Sequence, residues 1–268
     1  TMRLTGSVGS IQWQSSADGG TWTAISGATS STYSTSNLTS STYYRARVKS
    51  GVCDSLFTNL VTVNVSPAAV GGNLSGTTTI CSGASSGQMT LNGYSGTIQK
   101  WQWSTSATFA SNVNDISTTS DNYTANNLTA TTYYRAVITS GVCTAYSSLA
   151  AITVNPTSVG GNVTGSATKC AGSNSTMLTL NGSTGSIQWE SSTDSSNWSA
   201  VSGATSATYT AAGLTTTTYY RAVVTSGVCA SAYSSNAGKV TIDSVSVGGT
   251  VSGAATVCAT DNTTTLTL

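Results

Sequence analysis

At 268 residues, with 97 Ser and Thr, 38% apolar side chains and only 6% charged ones, the chain predicts a polar, nearly unionised surface, and its Thr content favours strands over helices. Nine Lys and Arg, scattered rather than clustered, balance eight Asp and Glu to a net charge of +1, and no run of about 18 apolar residues occurs; neither nucleic-acid binding nor a membrane-spanning segment is expected. With no His in the chain, the commonest general base and the Ser-His and Cys-His couples are missing, so an enzyme is not expected.

Taken from the N-terminus, the same pattern recurs. Residues 1–66 carry Met2-Arg3-Leu4, then Ile11-Gln12-Trp13, then Leu38-Thr-Ser-Ser-Thr-Tyr-Tyr-Arg-Ala46, then Ser-Gly-Val-Cys ending at Cys53. Residues 67–155 repeat it with Met89-Thr-Leu91, Gln102-Trp103, the segment Leu128 to Ala136, and Cys143. Residues 156–243 repeat it again with Leu178-Thr-Leu180, Ile187-Gln188-Trp189, Leu214 to Ala222, and Cys229. Residues 244–268 begin a further copy and end at Leu268, the counterpart of Leu4, Leu91 and Leu180. The spacing of these leucines, 87, 89 and 88 residues, fits one small sandwich per period. The fold expected is therefore all-β: tandem immunoglobulin-like or fibronectin III-like β-sandwich repeats of about 88 residues, the first lacking its first strand. Ends that fall inside one core strand read as an excerpt of a longer array. The alternative is a subunit assembling head to tail by strand complementation, residues 244–268 of one copy completing residues 1–66 of the next.

Within the third copy the alternating runs predict strand A over 161–169, B over 177–180, C over 186–191, C′ over 198–201, E over 207–211, F over 218–225 and G over 228–242. Alternation along F sends Tyr220, Ala222 and Val224 to one face and Tyr219, Arg221 and Val223 to the other, which Arg221 marks as the solvent side. The junctions Val65-Ser66-Pro67, Asn155-Pro156 and Ile242-Asp243-Ser244 each precede a Val-Gly-Gly. They are too short for free tumbling, and Pro stops a strand where Gly permits a sharp turn.

Trp13, Trp103 and Trp189 fall on strand C, the place of the central core Trp of such a sandwich; in the second copy this makes Lys100-Trp101 an insertion and alters the turn from Ala107 to Asn114. Trp22 and Trp198 follow turns at Asp18 and Asp194, with Val113 in their place in the second copy; packing under C′ suits that exchange better than a sugar-stacking platform. Tyr44, Tyr134 and Tyr220 stand six residues after a Leu, the spacing of a tyrosine corner that ties the start of F to the E–F turn. Asp18 and Asp194 sit where a turn Asp bonds its own backbone, with calcium as the weaker reading, so no metal or cofactor is expected. The cysteines recur as one before strand B (Cys81, Cys170, Cys258) and one after F (Cys53, Cys143, Cys229), without the clustering zinc needs. Disulfides in an oxidising compartment are expected, and two schemes remain. Cys81 with Cys143 and Cys170 with Cys229 would close each domain, leaving Cys53 and Cys258 to partners outside the chain; a closed loop of about 60 residues contributes roughly 4 kcal/mol in the chain-entropy model. Cys53–Cys81, Cys143–Cys170 and Cys229–Cys258 would staple neighbours instead. Spacing alone does not choose between them.

The combination Trp-Gln/Glu-Ser-Ser-x-Asp (Trp13 to Asp18, Trp189 to Asp194), Gly-Ala-Thr-Ser (Gly27 to Ser30, Gly203 to Ser206), Tyr-Tyr-Arg-Ala and Ser-Gly-Val-Cys resembles the Ig-like repeats of very large surface adhesins of Bacteroidota, including gliding-motility adhesins exported by type IX secretion. The resemblance spans nearly the whole chain. It implies an extracellular, cell-surface protein whose repeats touch one another and hold an adhesive region away from the outer membrane, with surface polysaccharide or other glycans as partners. A lectin-like, glycan-binding repeat array is the competing function. The same resemblance implies O-glycans on Ser or Thr after Asp and before an apolar residue, which Asp54-Ser55-Leu56 and Asp243-Ser244-Val245 match.

Overall fold

The computed structural model describes residues 1–254, 256 and 259, so Cys258 and the strand position at Leu268 lie outside the described residues. Every regular element among them is a strand. The first repeat holds β1 (Met2–Arg3), β2 (Ser10–Ser16), β3 (Thr23–Ala24), β4 (Thr32–Tyr33), β5 (Thr42–Lys49), β6 (Leu56–Phe57) and β7 (Val61–Val63). The second holds β8 (Asn73–Ser75), β9 (Thr78–Cys81), β10 (Gln88–Asn92), β11 (Thr97–Ser104), β12 (Asn114–Ile116), β13 (Asn122–Thr124), β14 (Thr132–Ser140), β15 (Cys143–Tyr146) and β16 (Ala150–Asn155). The third holds β17 (Asn162–Thr164), β18 (Ala167–Cys170), β19 (Ser175–Asn181), β20 (Ser186–Ser192), β21 (Ser199–Ala200), β22 (Thr208–Ala212), β23 (Thr218–Thr225), β24 (Ala232–Tyr233) and β25 (Gly238–Asp243). By its internal packing the chain forms two compact units. One comprises Thr1–Thr78, Ser86–Ala125 and Thr131–Ile152; the other comprises Thr79–Ser85, Asn126–Ala130 and the described residues from Thr153 on.

The third repeat shows the plan. One sheet runs β17-β19-β22 and the other β18-β25-β23-β20-β21, with β24 also on β23. Strand β18 pairs parallel with β25, whereas β17 pairs antiparallel with β19, so the segment expected as one strand A is split between two sheets. Gly165, at φ +101, makes the switch, and a Cβ there would strike the Met177 carbonyl oxygen; only glycine fits both demands. The expected strand G likewise breaks into β24 and β25. Period-two alternation fills the space between the sheets: Val163, Leu178, Leu180 and Ala211 meet Trp189, Tyr220, Ala222, Val224 and Val240. On β23, Tyr220, Ala222 and Val224 are buried as expected, but Tyr219, Arg221 and Val223 are half-buried rather than in open solvent.

The second repeat corrects one assignment made from sequence. Trp101 is fully buried, and Trp103 is not the core Trp. Trp101 pairs across the ladder with Ala136, as Trp13 does with Ala46 and Trp189 with Ala222; Trp103 pairs with Tyr134, in the place of Ser15 and Ser191. The register between β11 and β14 slips between Ile98 and Lys100. A bulge at Gln99 thus absorbs the one extra residue, which would otherwise send every following side chain to the wrong face. In the first repeat β1 pairs, among the described residues, with β4 alone, and the second sheet runs β3-β2-β5-β6 with β7 also on β5.

Candidate functional site

Each repeat builds the same aromatic column. Trp13, Tyr33 and Tyr44 stack at 6.0 and 5.8 Å between centroids, Trp101, Tyr123 and Tyr134 at 5.7 and 5.9 Å, and Trp189, Tyr209 and Tyr220 at 6.0 and 5.3 Å. The indole N–H groups of Trp13, Trp101 and Trp189 donate to the carbonyls of Ser30, Ser120 and Ser206, each at 2.9 Å, which satisfies the one polar atom each ring buries. Tyr44, Tyr134 and Tyr220 are buried. The Tyr44 hydroxyl lies 3.1 Å from Thr35 Oγ1 and donates to it, tying strand F to the segment after β4. Burial, and after it the neighbouring phenol of Tyr123, pushes the Tyr134 hydroxyl up to about 12. Burial followed by Tyr209 does the same to Tyr220, also to about 12. These residues hold the sandwich together and present nothing to a ligand.

The opposite face of strand F carries an arginine clamp that sequence reading did not anticipate. Arg45 lies 4.1 Å from the Trp22 ring and 4.0 Å from Phe57; Arg135 lies 4.2 Å from Phe109 and 3.9 Å from Tyr146; Arg221 lies 4.4 Å from Trp198 and 4.1 Å from Tyr233. Each Arg Nε donates to a side chain on the neighbouring strand: Gln14 at 2.8 Å, Gln102 at 2.9 Å and Glu190 at 2.7 Å. Both faces of each guanidinium and one ring face of each of Trp22 and Trp198 are therefore occupied, which gives these two Trp a packing role against strand F. In the second copy the ring comes from Phe109, not from the position of Val113. The signal for the other ring was present as a recurring aromatic before Thr-Asn or Ser-Ser, at Phe57, Tyr146 and Tyr233.

The Asp turns are self-contained. Asp18 Oδ1 accepts from the backbone N–H of Gly20 and of Thr21, each at 2.8 Å, and from Ser16 Oγ at 2.8 Å. These bonds, that of the Thr21 N–H foremost, hold its carboxyl well below the usual carboxylate range. Asp194 repeats the arrangement with the N–H groups of Asn197 and Ser196, the Asn197 amide and the Ser192 hydroxyl, with the same effect led by Asn197. Among the described residues no three His, Cys, Asp or Glu side chains converge as a metal site. Ser55 is half-buried between exposed Asp54 and Leu56, and Ser244 is exposed just past β25.

The cysteines are paired in neither of the expected ways. The disulfide joins Cys81 to Cys229, 148 residues apart. It links the pre-B cysteine of the second repeat to the post-F cysteine of the third, so Cys81–Cys143 and Cys170–Cys229 do not form, and the alternative staple runs in the wrong direction. The reason lies at the junction. Asn155, at the end of β16, receives the Ser82 N–H on its carbonyl at 2.8 Å, which brings the residue after Cys81 to it. The Cys229 sulfur lies 3.7 Å from the same carbonyl and 3.2 Å from that of Pro156, and Val228 N–H donates to Asn155 Oδ1 at 3.3 Å. The turn after β23 and the strand before β19's counterpart thus meet at one residue. The first junction repeats half of this pattern: the Cys143 sulfur stands 3.9 Å from the carbonyl of Ser66, the counterpart of Asn155. Cys53, Cys143 and Cys170 are free.

A family model described as a domain of unknown function, DUF8696, matches residues 1–67, 70–156 and 159–244. No curated protein matches the chain. Among solved structures, a calcium-stabilised adhesin that helps an Antarctic bacterium reach out and bind ice is similar at 10% identity, covering 91% of this chain and 68% of that one, with a TM-score of 0.34. Murine CEACAM1b is similar at 12% identity over 62% of this chain and 96% of its own, TM-score 0.40. The FN1–FN3 domains of chicken CNTN1 are similar at 12% identity over 90% of this chain and 91% of theirs, TM-score 0.28.

Proposed function

This chain belongs to the DUF8696 family, in three tandem copies, and we propose that it is a structural, adhesive segment of an extracellular surface protein, one that spaces a binding region from the cell and carries load between repeats. The observation that carries this reading is the Cys81–Cys229 bond, which joins two repeats instead of closing one. A covalent link across a junction serves a protein that is pulled along its length. It also persists only in an oxidising compartment, which supports a location outside the cytoplasm. The finer reading follows the resemblance of the repeat motifs: a giant Bacteroidota adhesin, delivered by type IX secretion, outer-membrane-anchored or filamentous and taking part in gliding, with surface polysaccharide as partner and O-glycans on Ser55 or Ser244. The lectin-like reading is the weaker one, because both aromatic residues it would use are engaged by arginine.

Immunogold labelling of intact cells with antibody to these repeats tests the reading. Surface label that external protease removes, together with weaker attachment when the three repeats are deleted in frame, is the expected result; label confined to the interior overturns it. Intact mass of peptides containing Ser55 and Ser244 from the native protein reads glycosylation directly.

A further inference from the structure

The outward face of strand F in the first repeat gathers positive charge into one row. Strand β5 reads Thr-Tyr-Tyr-Arg-Ala-Arg-Val-Lys, and alternation buries Tyr44 and Ala46 while Arg45, Arg47 and Lys49 share the other face at steps of about 6.8 Å. Three of the nine cations of the chain thus stand together, a grouping that two-residue spacing hides in the sequence. Arg47 and Lys49 are exposed and Arg45 is half-buried. The ladder sets Gln14 opposite Arg45, Gln12 opposite Arg47 and Ser10 opposite Lys49, and Phe57 of β6 flanks Arg47 on the other side. Amides, a hydroxyl and a ring surround the row, with no acid among them. Among the described residues, ion pairs join Lys100 to Asp115 and Arg221 to Glu190, and neither touches this row.

The other repeats show what is particular to this one. At the positions of Arg47 and Lys49 the second repeat has Val137 and Thr139, and the third has Val223 and Thr225. The third also sets Glu190 against Arg221 at 2.7 Å, which cancels its charge, and the second adds Asp115, which accepts from both Lys100 and Gln102. Exposure at these positions belongs to the strand itself: Val223 and Thr225 are only half-buried although a repeat precedes theirs. Like charges in one row repel one another, and the repeats that lack Arg47 and Lys49 form the same pair of central strands. The two extra cations therefore do nothing for the fold.

We propose that this face binds an acidic polysaccharide, a chain of sugars bearing carboxylate or sulfate groups, laid along β5 with its anionic groups on Arg45, Arg47 and Lys49. Arg45 is held in place for such a partner. Trp22 and Phe57 occupy its two faces and Gln14 takes its Nε, while its Nη N–H groups, which have no partner among the described residues, keep the fork that suits a carboxylate or sulfate. A row of separated charges fits an extended polyanion better than a single small anion. The amides of Gln12 and Gln14 and the hydroxyl of Ser10 lie beside the row, as hydrogen-bonding groups for sugar hydroxyls. A nucleic acid would want free rings to stack its bases, and a lipid surface would want apolar side chains among the cations; Trp22 and Phe57 each give a ring face to Arg45 instead. The proposal rests on the adhesive reading and gives that reading a ligand and a place to hold it.

The test measures binding of the purified chain to polygalacturonate, dextran sulfate, neutral dextran, a single-stranded oligonucleotide and phosphatidylserine vesicles, at low and high salt. An acidic polysaccharide should bind at low salt and be released at high salt, where exposed charges are screened, and neutral dextran should not bind; the tighter of the two acidic polymers identifies the anionic group. Arg47→Val combined with Lys49→Thr, which installs the residues of the third repeat, should weaken that binding about tenfold and leave the melting temperature unchanged. Lys169→Thr combined with Lys239→Thr removes the same charge elsewhere and should bind as wild type does. Failure of both acidic polysaccharides to bind, equal affinities of the two double variants, or tighter binding of the oligonucleotide or the vesicles overturns the proposal. Label confined to the cell interior, with this binding intact, overturns the surface placement alone.

Discussion

At the scale of single residues, burial separates neighbours that look alike in sequence. Trp101 is fully buried with its N–H bonded, while Trp103 two residues on is half-buried. Trp101→Ala should therefore cost about 3–5 kcal/mol, the range for emptying an aromatic core site, and Trp103→Ala distinctly less, as read by urea unfolding of each variant. The buried phenols give a pH signature. A group whose pKa rises on folding stabilises the fold below its unfolded value, about 10 for Tyr, and that contribution is lost as pH climbs through the folded value, about 12 for Tyr220. Tyr220→Phe should flatten the alkaline loss of stability between those two pH values, measured by thermal melts across the range. The acidic side is opposite in sign. Asp18 and Asp194 are held below the usual carboxylate range, so their contribution is present at neutral pH and falls away as acid protonates them.

At the scale of elements, most strands were legible because Tyr-Tyr-Arg-Ala and Ile-Gln-Trp alternate with period two and are bounded by Gly, Asn and Ser. What alternation could not reveal was a strand that changes sheets. The segment expected as strand A over 161–169 becomes β17 and β18 because Gly165 permits the turn, and the alternation on either side of it is equally good. The misplaced Trp has a related cause: a shared Gln-Trp dipeptide aligned Trp103 with Trp13, whereas the bulge at Gln99 moves the true counterpart to Trp101. Deleting Gln99 should restore the four-residue step seen from Gly9 to Trp13 and from Gly185 to Trp189, leaving the fold intact and the melting temperature within a few degrees of wild type. A collapse of the second repeat on that deletion, seen as loss of the near-ultraviolet signal of Trp101, would show that the bulge itself is required.

At the scale of the whole molecule, the disulfide is the largest departure from expectation. Closing 148 residues contributes about 5 kcal/mol in the chain-entropy model, and because the bond crosses a junction it couples the third repeat to the end of the second. Cys229→Ser should lower the unfolding midpoint of the third repeat and split a single transition into two, visible by calorimetry. Under stretching force the intact bond should also withhold the intervening segment, shortening the extended chain by roughly 500 Å at about 3.4 Å per residue.

By itself the sequence determined the three-fold repeat, the all-β sandwich, the core Trp in two of the three copies, the buried Tyr at the start of strand F and the placement of Arg221 on the second face of that strand. These follow from local alternation and composition, which act within a few residues of the position concerned. Only the tertiary structure decided which aromatic rings enclose each arginine and which cysteine meets which. In a periodic chain, joining a pre-B cysteine to the post-F cysteine of its own repeat, the one before or the one after leaves the same spacing pattern in sequence. Proximity at Asn155, where the Ser82 N–H and the Cys229 sulfur reach one carbonyl, selects the following repeat.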